Sequence, residues 1–204
     1  MRLEFVFDYA SPYAYLANSQ LAGLGRPVDY QPLAIVEVMR MVNNQPSPAC
    51  PPKARYSGLD AGRCAKLYGV PLSINPGFFA ALRSGELDGT LLSRGALAAQ
   101  DLGVFDGYNS AIFNATWGEP GDVATAAGRA ALLEAAGVDP APVWARAEEE
   151  DIRALLAQRN EAAAARGVFG VPTFFVDDEM FFGNDRLDFV RSRIAEAKPV
   201  GATA

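Results

Sequence analysis

Two short stretches hold the residues whose types and spacing can do chemistry. The first is Asp8-Tyr9-Ala10-Ser11-Pro12-Tyr13. Serine followed by proline, ahead of an apolar helical pattern, is a helix start signal with serine at the N-cap and proline at the first helical position. At a strand-to-helix turn, that hydroxyl lies where unpaired helix amides favour an anion. The same pattern also describes a plain helix cap, contributing about 1 kcal/mol of stability and nothing more. The second stretch is Gly167-Val168-Phe169-Gly170-Val171-Pro172-Thr173. Proline brings a cis peptide to within about 1 kcal/mol of trans. A cis Val171-Pro172 bond is therefore predicted, in a loop that presents free backbone groups to a peptide-like ligand. An ordinary proline at the first residue of a strand is the other reading.

Composition removes much competing chemistry. The 204 residues include no histidine, which excludes Ser-His-Asp triads, histidine bases and most transition-metal sites. Cys50 and Cys64 are too few and too isolated for a disulfide framework or a zinc site, so no metal is expected. A net charge of -6 and the lack of a basic stripe argue against nucleic acid. The opening MRLEFVFDYASP carries charge in its first four residues and then turns, unlike a signal peptide. The apolar runs fall short of the roughly 18 to 20 residues that span a bilayer. A reducing cytoplasm and no membrane partner are the expectations.

The elements that must position these stretches can be read from pattern. Leu3 to Asp8 is rich in β-formers, a helix follows Ser11 as far as Leu24, and Pro27 to Leu33 suits a second strand. Such a βαβ unit implies parallel strands. From Ile35 to about Arg166 alanine and leucine dominate. Helical spacing appears near 53–69, 76–84, 89–103, 107–117, 122–136 and 142–165. After Gly167, Thr173 to Val176 and Glu179 to Phe182 read as strands joined by a tight Asp177-Asp178 turn. Asn184 or Asp185 is expected to cap a last helix that runs to about Ala197, with a frayed tail from Pro199 to Ala204. The predicted class is α/β: residues 1–34 and 167–204 form one domain, split by an all-helical insertion over 35–166. Half of the chain is hydrophobic, enough for a sizeable core.

Taken in this order around a helical block, the two motifs resemble the thioredoxin superfamily. The branch is that of disulfide-bond oxidoreductases, kappa-class glutathione transferases and 2-hydroxychromene-2-carboxylate isomerases. Thioredoxin-like enzymes start their first helix with Cys-x-x-Cys. Here Ser11-Pro12-Tyr13-Ala14 fills that slot, so dithiol exchange there is chemically impossible. The resemblance to the isomerases runs nearly the whole chain: FDYASPYAYLA, Asn44-Gln45-Pro46, Pro52-Lys53-Ala54-Arg55-Tyr56, Gly69-Val70-Pro71-Leu72, Ala115-Thr116-Trp117-Gly118-Glu119 and the closing GVFGVPTFFVDDEMFFGNDRLDFV. Asn43 departs from the family's glycine, and Ser47 to Cys50 lengthen the neighbouring loop.

The resemblance implies a thioredoxin-like fold with a helical insertion, and glutathione as cofactor. Ser11 would hydrogen-bond the glutathione sulfur and favour its thiolate. The main chain of Val171, beside cis Pro172, would pair with the cysteinyl part. Asn184 and Asp185 would hold the γ-glutamyl end. Asn44 and Lys53 are further candidates, Lys53 for a carboxylate. Tyr9, Tyr13 and Trp117 are candidates for an aromatic pocket. The implied reaction converts 2-hydroxychromene-2-carboxylate, or a close aromatic analogue, to trans-o-hydroxybenzylidenepyruvate in aromatic-hydrocarbon catabolism. Thiolate addition makes a double bond rotatable, and elimination then regenerates glutathione. A free thiol titrates near 8.5, so lowering it by about two units takes roughly 2.7 kcal/mol. One hydroxyl bond to a charged acceptor contributes about 1.5–3 kcal/mol. A kappa-like transferase or peroxidase would instead consume glutathione. A redox-silent thioredoxin-like binding module is the reading from another class, against which Gly183-Asn184-Asp185-Arg186 favours a glutathione site. A homodimer is implied by resemblance alone.

Overall fold

Every residue of β1 (Leu3–Phe7) is buried, so this strand needs cover on both faces and a partner along each edge. The computed structural model describes residues 1–196 and supplies all of them. β1 pairs in parallel with β2 (Asp29–Pro32) and antiparallel with β3 (Thr173–Val176). β3 in turn pairs antiparallel with β4 (Glu179–Phe182), giving the order β2-β1-β3-β4. Asp177 makes the β3–β4 turn at φ 54, a left-handed conformation that aspartate tolerates better than most residues.

Alternation along β1 and β3 sends side chains to two covers. Phe5, Phe7, Phe174 and Val176 share a core with α1 (Pro12–Asn18) and with most of the helical block. Val6 and Phe175 point the other way. They pack with Val38 of α2 (Ile35–Met41) and Ala163 of α9 (Glu150–Ala165). Between these lie α3 (Pro51–Tyr68), α4 (Pro76–Ser84), α5 (Leu91–Asp101), α6 (Phe105–Phe113), α7 (Ala126–Ala135) and α8 (Pro140–Ala147). No strand interrupts residues 33–172. Phe113 of α6 meets the Phe7 and Tyr9 rings at 5.6 and 4.6 Å, so the sheet's core continues into the helices. The result is a thioredoxin-like fold carrying a helical insertion.

Three local expectations are corrected. The helix expected through Leu24 stops at Asn18, where the Ser19 hydroxyl donates to the Leu16 carbonyl; a 3-10 turn (Leu21–Leu24) follows. The pattern over 142–165 is two helices, broken at Glu148-Glu149. There the Arg146 guanidinium gathers Asp101, Glu149 and Asp151, which side-chain periodicity cannot foretell. The last helix, α10 (Leu187–Glu196), is capped by neither Asn184 nor Asp185. Gly183 holds the position ahead of a 3-10 turn (Asn184–Arg186) at φ 110, a conformation open to glycine and costly for Asn or Asp. The predicted helix end at Ala197 and the frayed tail from Pro199 lie outside the described residues. None of the described helices is long and apolar enough to cross a membrane.

Candidate active site

The turn between β1 and α1 is shaped by Asp8. One carboxylate oxygen accepts from the Ala10 amide and the other from the Ile35 amide at the start of α2, both at 2.8 Å. The Ser11 amide adds a bond to the Asp8 carbonyl at 3.1 Å. Burial pushes the Asp8 carboxyl up to about 6, against the lowering effect of those two amides and with a small upward push from Glu37. A second support comes from Asn114–Gly118, a π-helical turn after α6, whose Trp117 indole donates to the Tyr9 carbonyl at 2.7 Å. Such π turns recur at functional sites.

Ser11 is half-buried and sits in extended backbone. Its Oγ accepts from the Ala14 amide at 3.2 Å, the N-cap bond that the sequence predicts. The same hydroxyl donates to the Val171 carbonyl at 3.3 Å, so it also bridges to the opposite loop. That loop has the cis Val171-Pro172 bond expected from its sequence. The Val171 amide donates to no acceptor among the described residues. The loop is fixed on either side, by Thr173 Oγ1 donating to the Gly170 carbonyl at 2.8 Å and Gly183 N–H donating to the Pro172 carbonyl at 2.9 Å.

The second of those bonds carries the chain to Asn184. The turn Asn184–Arg186 packs on α1, and the Asn184 side chain is buried. Tyr68, the last residue of α3, donates its hydroxyl proton to the Asn184 carbonyl at 3.0 Å and accepts from Asn184 Nδ2 at 3.2 Å. Sequence reasoning missed Tyr68. It follows Ala61 and Ala65 at helical spacing, which reads as core, and its partner is 116 positions away.

The other candidates fall into two groups. Asn44 is exposed but donates to the Phe169 carbonyl at 2.8 Å, placing it beside the cis-proline loop. Asp185 is exposed and accepts from Arg186 at 3.0 Å. Lys53 is exposed in the first turn of α3, and its side chain has no ion pair or hydrogen bond among the described residues. The structure thus brings together Ser11, Val171, Pro172 and Asn184, places Asn44 at their edge, and leaves Asp185 and Lys53 on the periphery. Two of the three pocket aromatics are corrected. Tyr9 and Trp117 are 1% and 4% exposed and belong to the core, because the Tyr9 ring packs on Phe113 and the Trp117 ring on Phe79. Tyr13 alone reaches the surface, donating to Asp60 at 3.0 Å. Burial, then that carboxylate, pushes its phenol well above the usual range and keeps it protonated.

Comparison with known proteins agrees with this fold. The family model of the DSBA-like thioredoxin domain matches residues 2–195. A 2-hydroxychromene-2-carboxylate isomerase of Pseudomonas putida is 34% identical, over 94% of this chain and 93% of that protein. A solved structure of a 2-hydroxychromene-2-carboxylate isomerase superposes with a TM-score of 0.82 at 28% identity, covering 96% of this chain and 95% of that one. The glutathione S-transferase kappa 1 of Caenorhabditis elegans is 23% identical, over 98% and 93% of the two chains.

Proposed function

The chain belongs to the 2-hydroxychromene-2-carboxylate isomerase family, built on the DSBA-like thioredoxin domain, and from this premise we propose that it is a glutathione-dependent isomerase of 2-hydroxychromene-2-carboxylate or a close aromatic analogue. The observation that carries the proposal is the Ser11 hydroxyl, bonded across to the cis-proline loop where a disulfide oxidoreductase would hold its cysteine. A site with no thiol of its own there can do thiol chemistry only with one that a ligand supplies. The kappa-class relative, named a glutathione transferase, supports glutathione as that donor.

The residues present fit a small peptide thiol. Val171 offers an unpaired amide for a cysteinyl main chain, Ser11 a hydroxyl for sulfur, and Asn184 a side-chain carbonyl for an ammonium group. When bound, glutathione would supply a thiol nucleophile, able to add reversibly to the conjugated carbon and so make the double bond rotatable. Ser11 holds negative charge on that sulfur. Its present bond to the Val171 carbonyl is long and neutral, contributing about 0.5–1.5 kcal/mol, whereas a bond to a charged acceptor contributes about 1.5–3. The hydroxyl therefore turns toward a thiolate with a net gain. α1 is only seven residues long, so the hydroxyl rather than the helix supplies most of the stabilisation. Asn44, Lys53 and Asp185 stay in the proposal as rim contacts. A cytoplasmic setting, a role in aromatic-hydrocarbon catabolism and a homodimer belong to the same reading; light scattering at a single chain's mass would remove the dimer.

An ultraviolet assay on 2-hydroxychromene-2-carboxylate tests the function. Turnover is expected only with glutathione present, and the free thiol should be fully recovered after many turnovers. Stoichiometric loss of thiol would replace the proposal with a kappa-like transferase. Undiminished turnover without glutathione would remove the cofactor from it.

A further inference from the structure

We infer that Tyr68 is a positioning residue that sets the polarity of the Asn184 side chain, presenting its carbonyl oxygen as an acceptor for the ammonium group of the bound peptide. This inference rests on the glutathione reading. A tyrosine hydroxyl has one proton and two lone pairs. The proton of Tyr68 goes to the Asn184 main-chain carbonyl, so only lone pairs face the Asn184 side-chain amide. A lone pair accepts from the NH2 group and repels the carbonyl oxygen. Nδ2 is therefore the atom held at 3.2 Å, and Oδ1 is left without a donor among the described residues. Among the described residues, the enclosed side-chain polar atoms without a partner are Arg129 Nε and Trp144 Nε1. Asn184 Oδ1 is not one of them, so it keeps an opening to the surface although the residue is 4% exposed.

The fold gives Tyr68 the leverage to do this. Ala61 and Ala65 are buried on α3, and their small side chains let this helix approach α1 closely. Tyr68 continues the same face and packs its ring on the main core. The chain then turns at Gly69 in the left-handed conformation, which fixes the helix end that carries the phenol. The Asn184 turn has no side-chain cap of its own. Besides its packing on α1, it is held by the Gly183 bond to Pro172, the Arg186 amide bond to the Gly183 carbonyl and this hydroxyl from the helical insertion.

Calorimetric binding of glutathione and of its analogue lacking the α-amino group tests the inference. The parent chain should prefer glutathione by about 10-fold or more, as a charge-assisted bond implies. Tyr68→Phe keeps the ring and should weaken glutathione about 3- to 10-fold while leaving the analogue unchanged, so the preference shrinks by that factor. Turnover at saturating glutathione should stay within about 2-fold, because Ser11 is untouched. Asn184→Ala should erase the same preference with Tyr68 intact, and adding Tyr68→Phe should remove nothing more. Equal weakening of both ligands, no weakening, or additive losses would overturn the assignment. A parent chain that binds no glutathione would sink the cofactor reading with it, whereas a parent that binds and a Tyr68→Phe chain that binds equally well sink the Tyr68 role alone.

Discussion

Replacing Ser11 with alanine should slow turnover on the order of 10- to 150-fold near neutral pH, while glutathione binding changes little. The range is the loss of about 1.5–3 kcal/mol of hydrogen bonding to a charged sulfur. Binding survives because the proposed contacts of Val171 and Asn184 are not touched. Raising the pH should restore much of the rate, since solvent base then removes the proton that Ser11 no longer helps to displace. A spectroscopic titration of the bound thiol should show its pKa climbing back toward about 8.5. The cap bond to the Ala14 amide gives the competing expectation: about 1 kcal/mol of lost stability with rate and pH profile unmoved. Ser11→Ala with parental kinetics would leave the serine as a cap.

The second large effect concerns stability and runs against the common direction for carboxylates. Asp8 titrates near 6 in the folded chain and near 3.9 when unfolded. Between those values the native state holds the proton more tightly, so Asp8 favours folding most below about pH 4. That contribution is lost as pH rises through 6. Two units correspond to at most about 3 kcal/mol. Other carboxyls, such as Asp88 beside Arg94, are held low and oppose the trend. The measurement is therefore a difference: urea stability of the parent minus that of Asp8→Asn, from pH 4 to pH 7. It should fall by up to about 3 kcal/mol as pH rises. Asparagine turns an NH2 toward one of the two amides, a cost that is the same at every pH. A flat difference would mean that the Ala10 and Ile35 amides fully offset burial of the charge.

What the sequence disclosed about this molecule follows from the range of the forces involved. β1, the Ser11-Pro12 helix start and the cis Val171-Pro172 step each depend on neighbours within a few residues, and each was legible. The family motifs extended that reach to the site, where Ser11, Val171 and Asn184 do converge. The role of the Asp8 carboxylate is not legible in the sequence, because the Ile35 amide it accepts from is brought close only by the fold. Tyr68 was invisible for the same reason. Tyr9 and Trp117 show the converse: aromatic side chains suit a pocket or a core equally well, and only the packing of Phe113 and Phe79 decides. At Gly183 a local statistic misled. Asn and Asp are good caps, but the backbone there takes a φ that glycine alone adopts cheaply.

The bond between Ser11 and Val171 joins positions 160 residues apart. On a ribosome adding about 5–20 residues per second, β1 waits roughly 8 to 32 s before β3 can be translated. Throughout that interval β1 can pair with β2 but leaves its other edge and much of its apolar surface uncovered. A nascent chain of this fold is therefore a natural client for chaperones that shield strand edges. Ribosome-stalled chains ending before residue 173 should lack a protease-resistant sheet, and Ser11 should be among the first residues made and the last to be put in place.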